Sequence, residues 1–469
     1  MTDICYVISH GFAARMVMQT NLLGQLVEEG KSVTIIVPDK NDATLKAYCE
    51  KRGVAMVEYN ETKGFWNANY LFKRKYYLED IRNNPALWEK HMFSAFFTPS
   101  LHPFRFIRPH FYYLIYLLIK LFPVIRKRFQ KNEKKYLESV SAREILEKIN
   151  PKVFVSTYPV TFLEALLLYQ ANQREETKTC IHLLSWDNIT CKGAFPALAD
   201  YYIAWGDVMA GEFKEYYQIP DDKIMKCGVP HFDLHVQVKN NPNYEVYLDQ
   251  LGLNPKQEYL FVAMSAPRFT PREIDVVEQL AKWVEEGKYG NTQLVIRPHP
   301  QNMQGNLSDK SWLPRLKELN KYAKVAVDFP ELENSKMSYS MKSSDMERLS
   351  QLLTGARVVV NSGSTVTIDA LMHQKPVVII SFDANDKLPY WRSSRRLINY
   401  THLKKLVSFN GVSVVKSFLE LDREIEQNLT DPNYKKAERR HTLEKECEVI
   451  DGTATEAVKT ALINIVSEV

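Results

Sequence analysis

Short apolar runs alternate with amphipathic stretches from the first residues of the chain. ICYVIS (4–9) has the length and composition of a buried strand, and the helical pattern that follows it (13–29) ends at Gly30, as a C-cap would end it. Two further strands are predicted at SVTIIVP (32–38) and VAMVEYN (54–60). This βαβαβ order is typical of a parallel sheet wound with helices.

The alternation stops in an aromatic and basic stretch and then returns twice. Strands are predicted in the first half at VFVSTYP, CIHLLSWD and DYYIAWG, and in the second half at YLFVAMS, LVIRPHP, KVAVDFP, ARVVVNS and PVVIIS. Two such series in a chain of 469 residues predict two domains. We therefore expect an α/β fold with two Rossmann-like domains facing across a cleft. The predicted boundaries are 1–225 with a helical insert at 63–135, then 226–435, and closing helices at 436–469 that could pack back on the N-terminal domain.

Composition narrows the class of protein. With 45% hydrophobic and 25% charged residues the chain is an ordinary globular protein, and its net charge of +5 is too small for a dedicated nucleic-acid binder. The six cysteines are scattered without a CxxC pair, which indicates a reducing compartment and no structural zinc site. No signal-peptide pattern precedes the first predicted strand, so we expect a cytoplasmic protein.

Cations and hydroxyls follow three predicted strands of the second half. Ligands of open parallel sheets bind where strands end and helices begin, so these groups predict one site for a nucleotide diphosphate or monophosphate. An arginine fork suits phosphate oxygens, a histidine can donate a hydrogen bond, and the prolines of RPHP (297–300) stiffen its turn. The residues concerned are Arg268 in SAPRFTPRE, Arg297 and His299 in RPHP, and Ser362, Gly363, Ser364 and Thr365 in NSGST.

These groups also have purely structural interpretations. Ser364 and Thr365 could merely cap the helix that follows their turn. Arg297 could pair with a carboxylate, beside a histidine whose hydrogen bonds are satisfied within the protein. A shared phosphate would explain all three strand ends at once, and the binding interpretation is therefore preferred.

In the first half the candidate catalytic residues are His10 and Asp187. His10 lies in SHGFAARM directly after the first predicted strand, and a histidine can act as a general base near neutral pH. The alternative is a partly buried histidine that caps the following helix. Asp187 follows CIHLLSW, close to Lys192 in the sequence. Glu164, on the predicted helix after VFVSTYP, is a weaker carboxylate candidate and is expected to be a surface residue.

The chain resembles the GT-B glycosyltransferases. Its opening SHGFAARMVMQTNLLGQLVEEGKSVTIIVPD is similar to the start of many such enzymes, in which the histidine matched by His10 is the base on the acceptor hydroxyl. SWDNITCKGAFP, RPHP and SGSTVTIDAL resemble the CDP-glycerol glycerophosphotransferases and the capsule sugar transferases, including polysialyl- and Kdo-transferases. In those families an HP dipeptide and a Ser/Thr turn hold the donor phosphate. The resemblance implies that role for His299–Pro300 and for Ser362, Ser364 and Thr365.

One departure from related enzymes concerns the mechanism. The E-x-x-x-x-x-x-E clamp of many retaining enzymes is missing, because Asp369 is the only carboxylate in VTIDALMHQK. The resemblance then implies an inverting reaction, with His10 or Asp187 deprotonating the acceptor. No DxD-type metal site stands out, and the fold normally does without one, so we expect neither a metal nor a cofactor.

The insert has the pattern of a membrane-surface segment. RPHFYYLIYLLIKLFPVIRKRFQKNEKK contains an apolar run at 111–125, shorter than the roughly 20 residues of a spanning helix, and then a run of cations. Such a segment suits an anionic membrane surface, and YLFKRKYYL (70–78) has the same character. The alternative is a buried helix with a solvated charged tail. The residues expected to face the membrane are Phe111, Tyr112, Tyr113, Tyr116, Arg126, Lys127 and Arg128.

The sequence therefore predicts a glycosyltransferase on the inner face of the cell membrane. It would move a sugar from a nucleotide-sugar donor to a surface-glycan or lipid-linked acceptor, with no nucleic acid as a partner. Two other enzymes remain open: a polyol-phosphate transferase that uses a CDP donor, and a non-hydrolysing UDP-sugar 2-epimerase, which needs neither an acceptor nor a membrane. A non-enzymatic membrane-docking scaffold with this fold is a further alternative.

Overall fold

The computed structural model describes residues 2–61, 84–93, 104–303, 309–333 and 341–469. The aromatic segment at 70–78, expected to face a membrane, lies outside these described residues. The chain forms two compact units. One comprises the residues up to Gly228 together with Thr455–Val469, and the other runs from Val229 to Ala454.

The first unit is built on a seven-stranded sheet with the strand order β3-β2-β1-β4-β5-β6-β7 and only parallel pairings. Its strands are β1 (Thr2–Val7), β2 (Val33–Val37), β3 (Ala55–Glu58), β4 (Pro151–Ser156), β5 (Lys178–His182), β6 (Tyr201–Ala204) and β7 (Ile224–Lys226). Its helices are α1 (Gly11–Val17), α2 (Leu22–Glu28), α3 (Ala43–Arg52), α4 (Pro85–Phe93), α5 (Phe104–Leu121), α6 (Pro123–Leu137), α7 (Val140–Ile149), α8 (Phe162–Ala171), α9 (Asn188–Cys191) and α10 (Asp207–Tyr217). A 3-10 turn, Asp221–Lys223, precedes β7.

The second unit is built on a six-stranded parallel sheet with the order β10-β9-β8-β11-β12-β13. Its strands are β8 (Tyr259–Ala263), β9 (Gln293–Arg297), β10 (Val325–Val327), β11 (Val358–Asn361), β12 (Val377–Ile380) and β13 (Ser413–Val415). Its helices are α11 (Asp233–Asn240), α12 (Tyr244–Gln250), α13 (Glu273–Glu285), α14 (Pro300–Met303), α15 (Trp312–Leu319), α16 (Ser343–Gly355), α17 (Val366–Met372), α18 (Thr401–Ser408), α19 (Phe418–Thr430) and α20 (Lys436–Glu446). Two parallel sheets of this kind confirm the predicted pair of Rossmann-like domains.

The last helix, α21 (Ala454–Val466), packs into the core of the first unit. Val458, Leu462 and Ile465 are buried among the apolar side chains that cover the first sheet. Lys459 donates to the carboxylate of Glu29 on the same unit, at 2.8 Å. The second half of the chain thus ends by completing the core of the first half.

Each sheet has one point where the strand order reverses, between β1 and β4 in the first unit and between β8 and β11 in the second. Neighbouring helices leave the sheet in opposite directions at such a point, and a crevice opens at the carboxyl ends of the strands. The loops after β1, β4, β8 and β11 therefore lie where this fold binds ligands.

The helical pattern predicted at 13–29 forms two helices rather than one. The chain breaks between α1 and α2 at Asn21, whose φ of 60° lies in the left-handed region. Asparagine tolerates this conformation better than most residues, so the break has a local cause. The predicted end at Gly30 is confirmed, with φ of 74° and an N–H that donates to the Val27 carbonyl.

The insert contributes α4, α5 and α6 to the first unit. Leu87, Tyr116 and Ile119 form a small buried cluster between α4 and α5. Among the described residues, no helix has both the length and the apolar composition needed to cross a bilayer. Tyr116 is only 2% exposed, so its predicted contact with a membrane is wrong: the ring faces the cluster.

Candidate functional site

Glu273, the first residue of α13, joins the two loops at the order reversal of the second sheet. Its carboxylate accepts the Ser265 N–H at 2.7 Å and the Thr270 hydroxyl at 3.1 Å, both from the loop after β8. It also accepts the hydroxyl of Ser362, which follows β11. Burial raises the pKa of Glu273 to about 7, although these three donors oppose the shift. Sequence reasoning missed this residue.

The turn after β11 is held from within by Asn361. The Asn361 Oδ1 accepts the N–H of Gly363 at 2.6 Å, the N–H of Ser364 at 3.3 Å and the hydroxyl of Thr367 at 3.1 Å. Gly363 has φ of +79°, and a Cβ there would lie 2.9 Å from Leu403 on α18, so the position requires glycine. The turn is therefore rigid and closely approached by its neighbour.

The two serines of this turn have different surroundings. The hydroxyl of Ser362 is committed to Glu273, whereas the buried hydroxyl of Ser364 has no hydrogen-bond partner among the described residues. Thr365 is the N-cap of α17 but makes no side-chain cap hydrogen bond. Buried polar groups are normally satisfied. Ser364 therefore offers a ligand a buried hydroxyl with no other partner in the part of the chain that the structure describes, and the hydroxyl of Thr365 is not used to cap α17.

His299 begins the loop after β9, the strand next to β8. The N–H of Gln301 donates to its Nδ1 at 3.1 Å, which leaves the ring proton on Nε2. Burial lowers the pKa of His299 to about 4, so the ring is neutral at pH 7. At neutral pH His299 can offer a ligand a hydrogen-bond donor but no positive charge.

The structure contradicts the prediction that Arg297 binds the donor phosphate. Its guanidinium is buried and donates to the carboxylates of Asp328, after β10, and Asp345 on α16, the latter at 2.6 Å. These two charges raise the pKa of Arg297 further, against the effect of burial. The alternative interpretation, an arginine paired with carboxylates, is therefore the one that fits Arg297, because both terminal nitrogens of its guanidinium are bonded inside the protein.

Arg268 extends from the loop after β8 and is exposed. Burial of part of the side chain and the positive charge of Arg396 lower its pKa. Arg396, which sequence reasoning missed, lies in the 3-10 helix Ser394–Asn399 and donates to the carbonyls of Phe269, at 2.9 Å, and Ser393, at 2.7 Å. Two guanidinium charges thus influence each other at this edge of the sheet.

The loops that carry His299, Arg268 and Ser364 follow three adjacent strands of the second sheet, in the order β9-β8-β11. Asn302, on the short helix α14 that follows His299, donates to the Ser265 carbonyl at 3.4 Å and so ties the first two loops together. The structure brings these three predicted residues to one edge, while Arg297 faces inward. Sites for anionic ligands in this fold lie at this position.

In the first unit His10 caps α1. The N–H of Phe12 donates to its Nδ1 at 3.2 Å, and the ring lies against the rings of Phe12 and Tyr158, with centroids 5.2 Å and 6.0 Å away. Burial, followed by the charge of Lys192, lowers the pKa of His10 to about 4. The geometry of His10 is therefore that of the alternative interpretation, a histidine that caps the following helix. Because Nδ1 accepts the Phe12 N–H, the ring proton is on Nε2.

Asp187 lies just before α9, after β5. One carboxylate oxygen accepts the Ser185 hydroxyl at 2.8 Å, and the other pairs with Lys192 at 2.9 Å. The charge of Asp187 raises the pKa of Lys192. Lys192 acts electrostatically on both His10 and Asp187, so the two predicted catalytic residues belong to one charged neighbourhood.

The expectation that Glu164 lies on the surface is wrong. Its side chain on α8 is completely buried and accepts hydrogen bonds from Ser9, Ser156 and the backbone N–H groups of Thr157 and Tyr158. Burial raises the pKa of Glu164 despite these donors. A signal was present in the sequence, because FLEALLLYQA has no polar face on which a solvated glutamate could lie.

Asp369 is also engaged inside the second unit. Its carboxylate pairs with His235 Nε2 at 2.7 Å, and the other nitrogen of that ring is 2.9 Å from the Ser350 hydroxyl. This network joins α11, α16 and α17 behind the Ser362–Thr365 turn. No group of three or more potential metal ligands was found among the described residues, and the absence of a metal and of a cofactor stays a prediction.

Residues 142–464, more than half of the chain, match the family described as CDP-Glycerol:Poly(glycerophosphate) glycerophosphotransferase. No curated protein matches the sequence.

Solved structures share the fold at low sequence identity. A putative UDP-N-acetylglucosamine 2-epimerase from Listeria monocytogenes is similar with a TM-score of 0.60 and 10% identity, over 100% of this chain and 97% of that one. The wall teichoic acid polymerase TagF is similar with a TM-score of 0.51 and 12% identity, over 99% and 89%. A glycosyltransferase from Rickettsia africae gives 0.50 and 11%, over 98% of each chain. The extent of the family match is decisive: the chain belongs to the CDP-glycerol:poly(glycerophosphate) glycerophosphotransferase family and is a transferase with a GT-B fold.

Proposed function

We propose that the protein transfers a glycosyl or polyol-phosphate group from a nucleotide-linked donor to a hydroxyl of a surface-polymer or lipid-linked acceptor. The observation that carries this proposal is the family match over 142–464, which includes the whole edge around His299 and Ser364 and the loop of Asp187. CDP-glycerol, the donor in the family's description, is the first donor to test. A nucleotide sugar is the second.

The donor phosphates would bind at the carboxyl edge of the second sheet. There the Nε2–H of His299 and the hydroxyl of Ser364 can donate to phosphate oxygens, and Arg268 supplies a positive charge. Arg297 is left out of this site, since its guanidinium is bound by Asp328 and Asp345. A neutral imidazole N–H, a hydroxyl and a single positive charge suit the binding of a phosphate that must be released again after transfer.

The acceptor hydroxyl would be activated by Asp187. Oxygen of the hydroxyl attacks the donor at the atom joined to the leaving nucleotide; the new O–P or O–C bond forms as the bond to the nucleotide breaks, and the proton passes to the Asp187 carboxylate. His10 is less suited to that step, because its Nδ1 lone pair accepts the Phe12 N–H and its Nε2 already carries a proton. His10 would instead donate a hydrogen bond to the acceptor.

We also propose that the insert holds the protein at an anionic membrane surface. On α5 the side chains of Ile107, Phe111, Leu114, Leu118 and Leu121 are exposed at spacings of three and four residues, which puts them on one helix face. Phe122, Val124 and Ile125 continue this exposed apolar face into α6, where Arg126, Lys127 and Arg128 follow. Apolar insertion combined with adjacent cations is the arrangement that binds anionic lipids.

The insert is bonded to the loop of Asp187. Asn84, just before α4, donates to the Thr190 carbonyl at 2.6 Å, and Lys90 on α4 donates to the Cys191 carbonyl. Both carbonyls belong to α9, which begins directly after Asp187. A lipid-linked acceptor held at the exposed apolar face would therefore meet the first unit close to the proposed base.

The experiment is a transfer assay with the full chain and a lipid-linked glycerol-phosphate primer in vesicles. CDP-glycerol, UDP-sugars and CMP-sugars are supplied in turn, and nucleotide release is measured with and without primer. Primer-dependent CMP release from CDP-glycerol supports polyol-phosphate transfer, and primer-dependent release from a sugar nucleotide supports sugar transfer. Conversion of a UDP-sugar to its 2-epimer without primer, or no turnover of any donor, would contradict the proposal.

A further inference from the structure

A buried glutamate bridges the order reversal in each of the two sheets. In the first unit Glu164 on α8 accepts the Ser9 hydroxyl from the loop after β1 and the Thr157 and Tyr158 N–H groups from the loop after β4. In the second unit Glu273 on α13 accepts from the loop after β8 and from Ser362 after β11. The same connection is thus made twice, from helices that follow different strands of the two sheets.

Glu164 constrains His10 from two sides. Ser9, whose hydroxyl it accepts, directly precedes His10 in the chain. Tyr158, whose N–H it accepts at 2.7 Å, packs its ring against the His10 ring. Without the carboxylate, both neighbours of the imidazole lose a hydrogen bond that holds them in place.

Glu273 constrains the turn that presents Ser364. It binds Ser362, two residues before, and Ser265, whose carbonyl accepts the Asn302 side chain from the loop of His299. All three loops of the proposed donor edge therefore meet through this one carboxylate, directly or through Ser265. A shift of Glu273 would move Ser364 relative to His299.

Packing alone does not require a carboxylate at position 164 or 273. Both side chains are buried, and within the part of the chain that the structure describes neither makes a salt bridge. A buried carboxylate without a cation is costly, and an apolar side chain of similar size would fill the same volume. What the carboxylates provide is acceptance of several donors at once from two separate loops.

We propose that Glu164 and Glu273 are positioning residues with separate tasks, Glu164 for His10 on the acceptor side and Glu273 for the Ser364 turn on the donor side. The division of tasks rests on the function proposed above. It predicts that loss of Glu164 acts on turnover and loss of Glu273 acts on donor affinity.

The test compares Glu164→Gln and Glu273→Gln in the full chain. The amide keeps the size of each side chain but replaces one acceptor oxygen by a donor. The Ser9 or Ser362 hydroxyl that meets this donor must then accept instead of donating, which weakens the link to its loop. We expect E164Q to lower kcat about tenfold with the KM for CDP-glycerol within about twofold of wild type, and E273Q to raise that KM about tenfold with a smaller change in kcat. CDP affinity, measured by titration calorimetry, should weaken in E273Q and not in E164Q.

Matched controls are Glu147→Gln on α7, which is exposed, and Glu278→Gln, which lies on the same helix as Glu273 and accepts from Arg315. Both should leave kcat and KM unchanged. The division of tasks would be overturned if both variants lost kcat/KM equally through kcat alone, or equally through KM alone. Wild-type kinetics in either variant would also overturn it.

A second measurement does not depend on the proposed function. Ser9→Ala and Ser362→Ala each remove one arm of a bridge, and hydrogen–deuterium exchange reports on the loops directly. We expect faster exchange in peptides covering 9–14 in S9A and E164Q, and in peptides covering 362–368 in S362A and E273Q. If the wild type turns over no donor but these exchange changes occur, the proposed function fails while the bridges stand; if exchange is unchanged, the positioning role fails whatever the activity.

Discussion

The backbone N–H of Phe12 donates to Nδ1 of His10, 3.2 Å away. This bond decides which chemistry His10 can perform, because it occupies the only lone pair of a neutral imidazole and leaves the proton on Nε2. Burial lowers the pKa of the ring to about 4, so protonation does not supply a second donor near pH 7. A hydrogen-bond donor needs a proton on Nε2, whereas a general base needs a free lone pair there. Substitutions of His10 can therefore distinguish these two roles.

Asparagine at position 10 should retain much of the activity that alanine loses. The Asn Oδ1 can cap α1 as Nδ1 does, and its Nδ2 can donate as Nε2–H does. We expect kcat of H10N within about tenfold of wild type and kcat of H10A lower by about a hundredfold, with CDP affinity unchanged in both. Steady-state kinetics with CDP-glycerol provide the measurement. Equal loss in H10N and H10A would instead assign the role of base to His10.

His299→Ala should remove transfer without unfolding the protein. The ring lies in the loop directly after β9, and its Nε2–H is the donor proposed for the phosphate. Loss of one such donor in a buried site typically costs about a hundredfold or more in turnover. Donor turnover and the melting temperature should be measured on the same preparation. Near-normal turnover in H299A would remove His299 from the donor site.

Arg297→Ala and Arg268→Ala should separate stability from binding. Removal of the buried Arg297 strands the carboxylates of Asp328 and Asp345, at a cost of about 3–5 kcal/mol. Arg268 is exposed, so R268A should melt like wild type but raise the KM for CDP-glycerol about tenfold. Thermal unfolding and kinetics of both variants are compared. A stable R297A with a selectively raised KM would return Arg297 to the donor site.

Strand positions could be predicted because buried parallel strands are nearly continuous apolar runs. VVV in β11 and LVI in β9 are examples, and each strand begins within two residues of its predicted start. The strands β7 (IMK) and β13 (SVV) were missed, since three residues of mixed character at a sheet edge carry no such pattern. The break at Asn21 was missed for a similar reason, because one residue at positive φ does not change the helical periodicity.

The loops of the site could be predicted, but the contacts of their side chains could not. The arginine of RPHP was recognised at a strand end, yet its partners Asp328 and Asp345 lie 31 and 48 residues further along the chain. Only the folded sheet brings such groups together, and no local pattern distinguishes an arginine that faces phosphate from one that faces a carboxylate. Likewise Tyr116 and Phe111 belong to the same aromatic run, but one faces the cluster of α4 and α5 and the other faces solvent.

Membrane binding should depend on the cations that follow the exposed apolar face. Each basic residue near an anionic surface contributes about 1 kcal/mol, so R126Q/K127Q/R128Q should weaken binding to phosphatidylglycerol vesicles about a hundredfold at low salt. K310Q/K317Q/K321Q removes the same charge from exposed positions of the second unit and serves as the control. Leu118→Ser with Leu121→Ser should weaken binding even to phosphatidylcholine vesicles. Equal effects of the two triple variants in cosedimentation would reduce the interaction to net charge alone.

The melting temperature should report the unusual protonation of Glu273. Its pKa is about 7 in the folded protein against 4.5 for the free side chain, so between these values the native state binds more protons than the unfolded state. The stabilisation by protonated Glu273 is therefore complete at low pH and is lost as the pH rises through 7. A glutamine at position 273 stays neutral at every pH, so the E273Q variant does not lose this stabilisation as the pH rises.

We therefore expect the melting temperature of wild type to fall relative to that of Glu273→Gln by about 4 °C or more between pH 5 and pH 8. Calorimetric scans of both proteins at half-unit steps of pH provide the comparison, without nucleotide so that ligand binding does not contribute. Melting curves that stay parallel across this range would mean that Glu273 does not change its protonation there. The three donors from Ser265, Thr270 and Ser362 would then keep it ionised against burial, and the donor edge would carry a permanent negative charge behind Ser364.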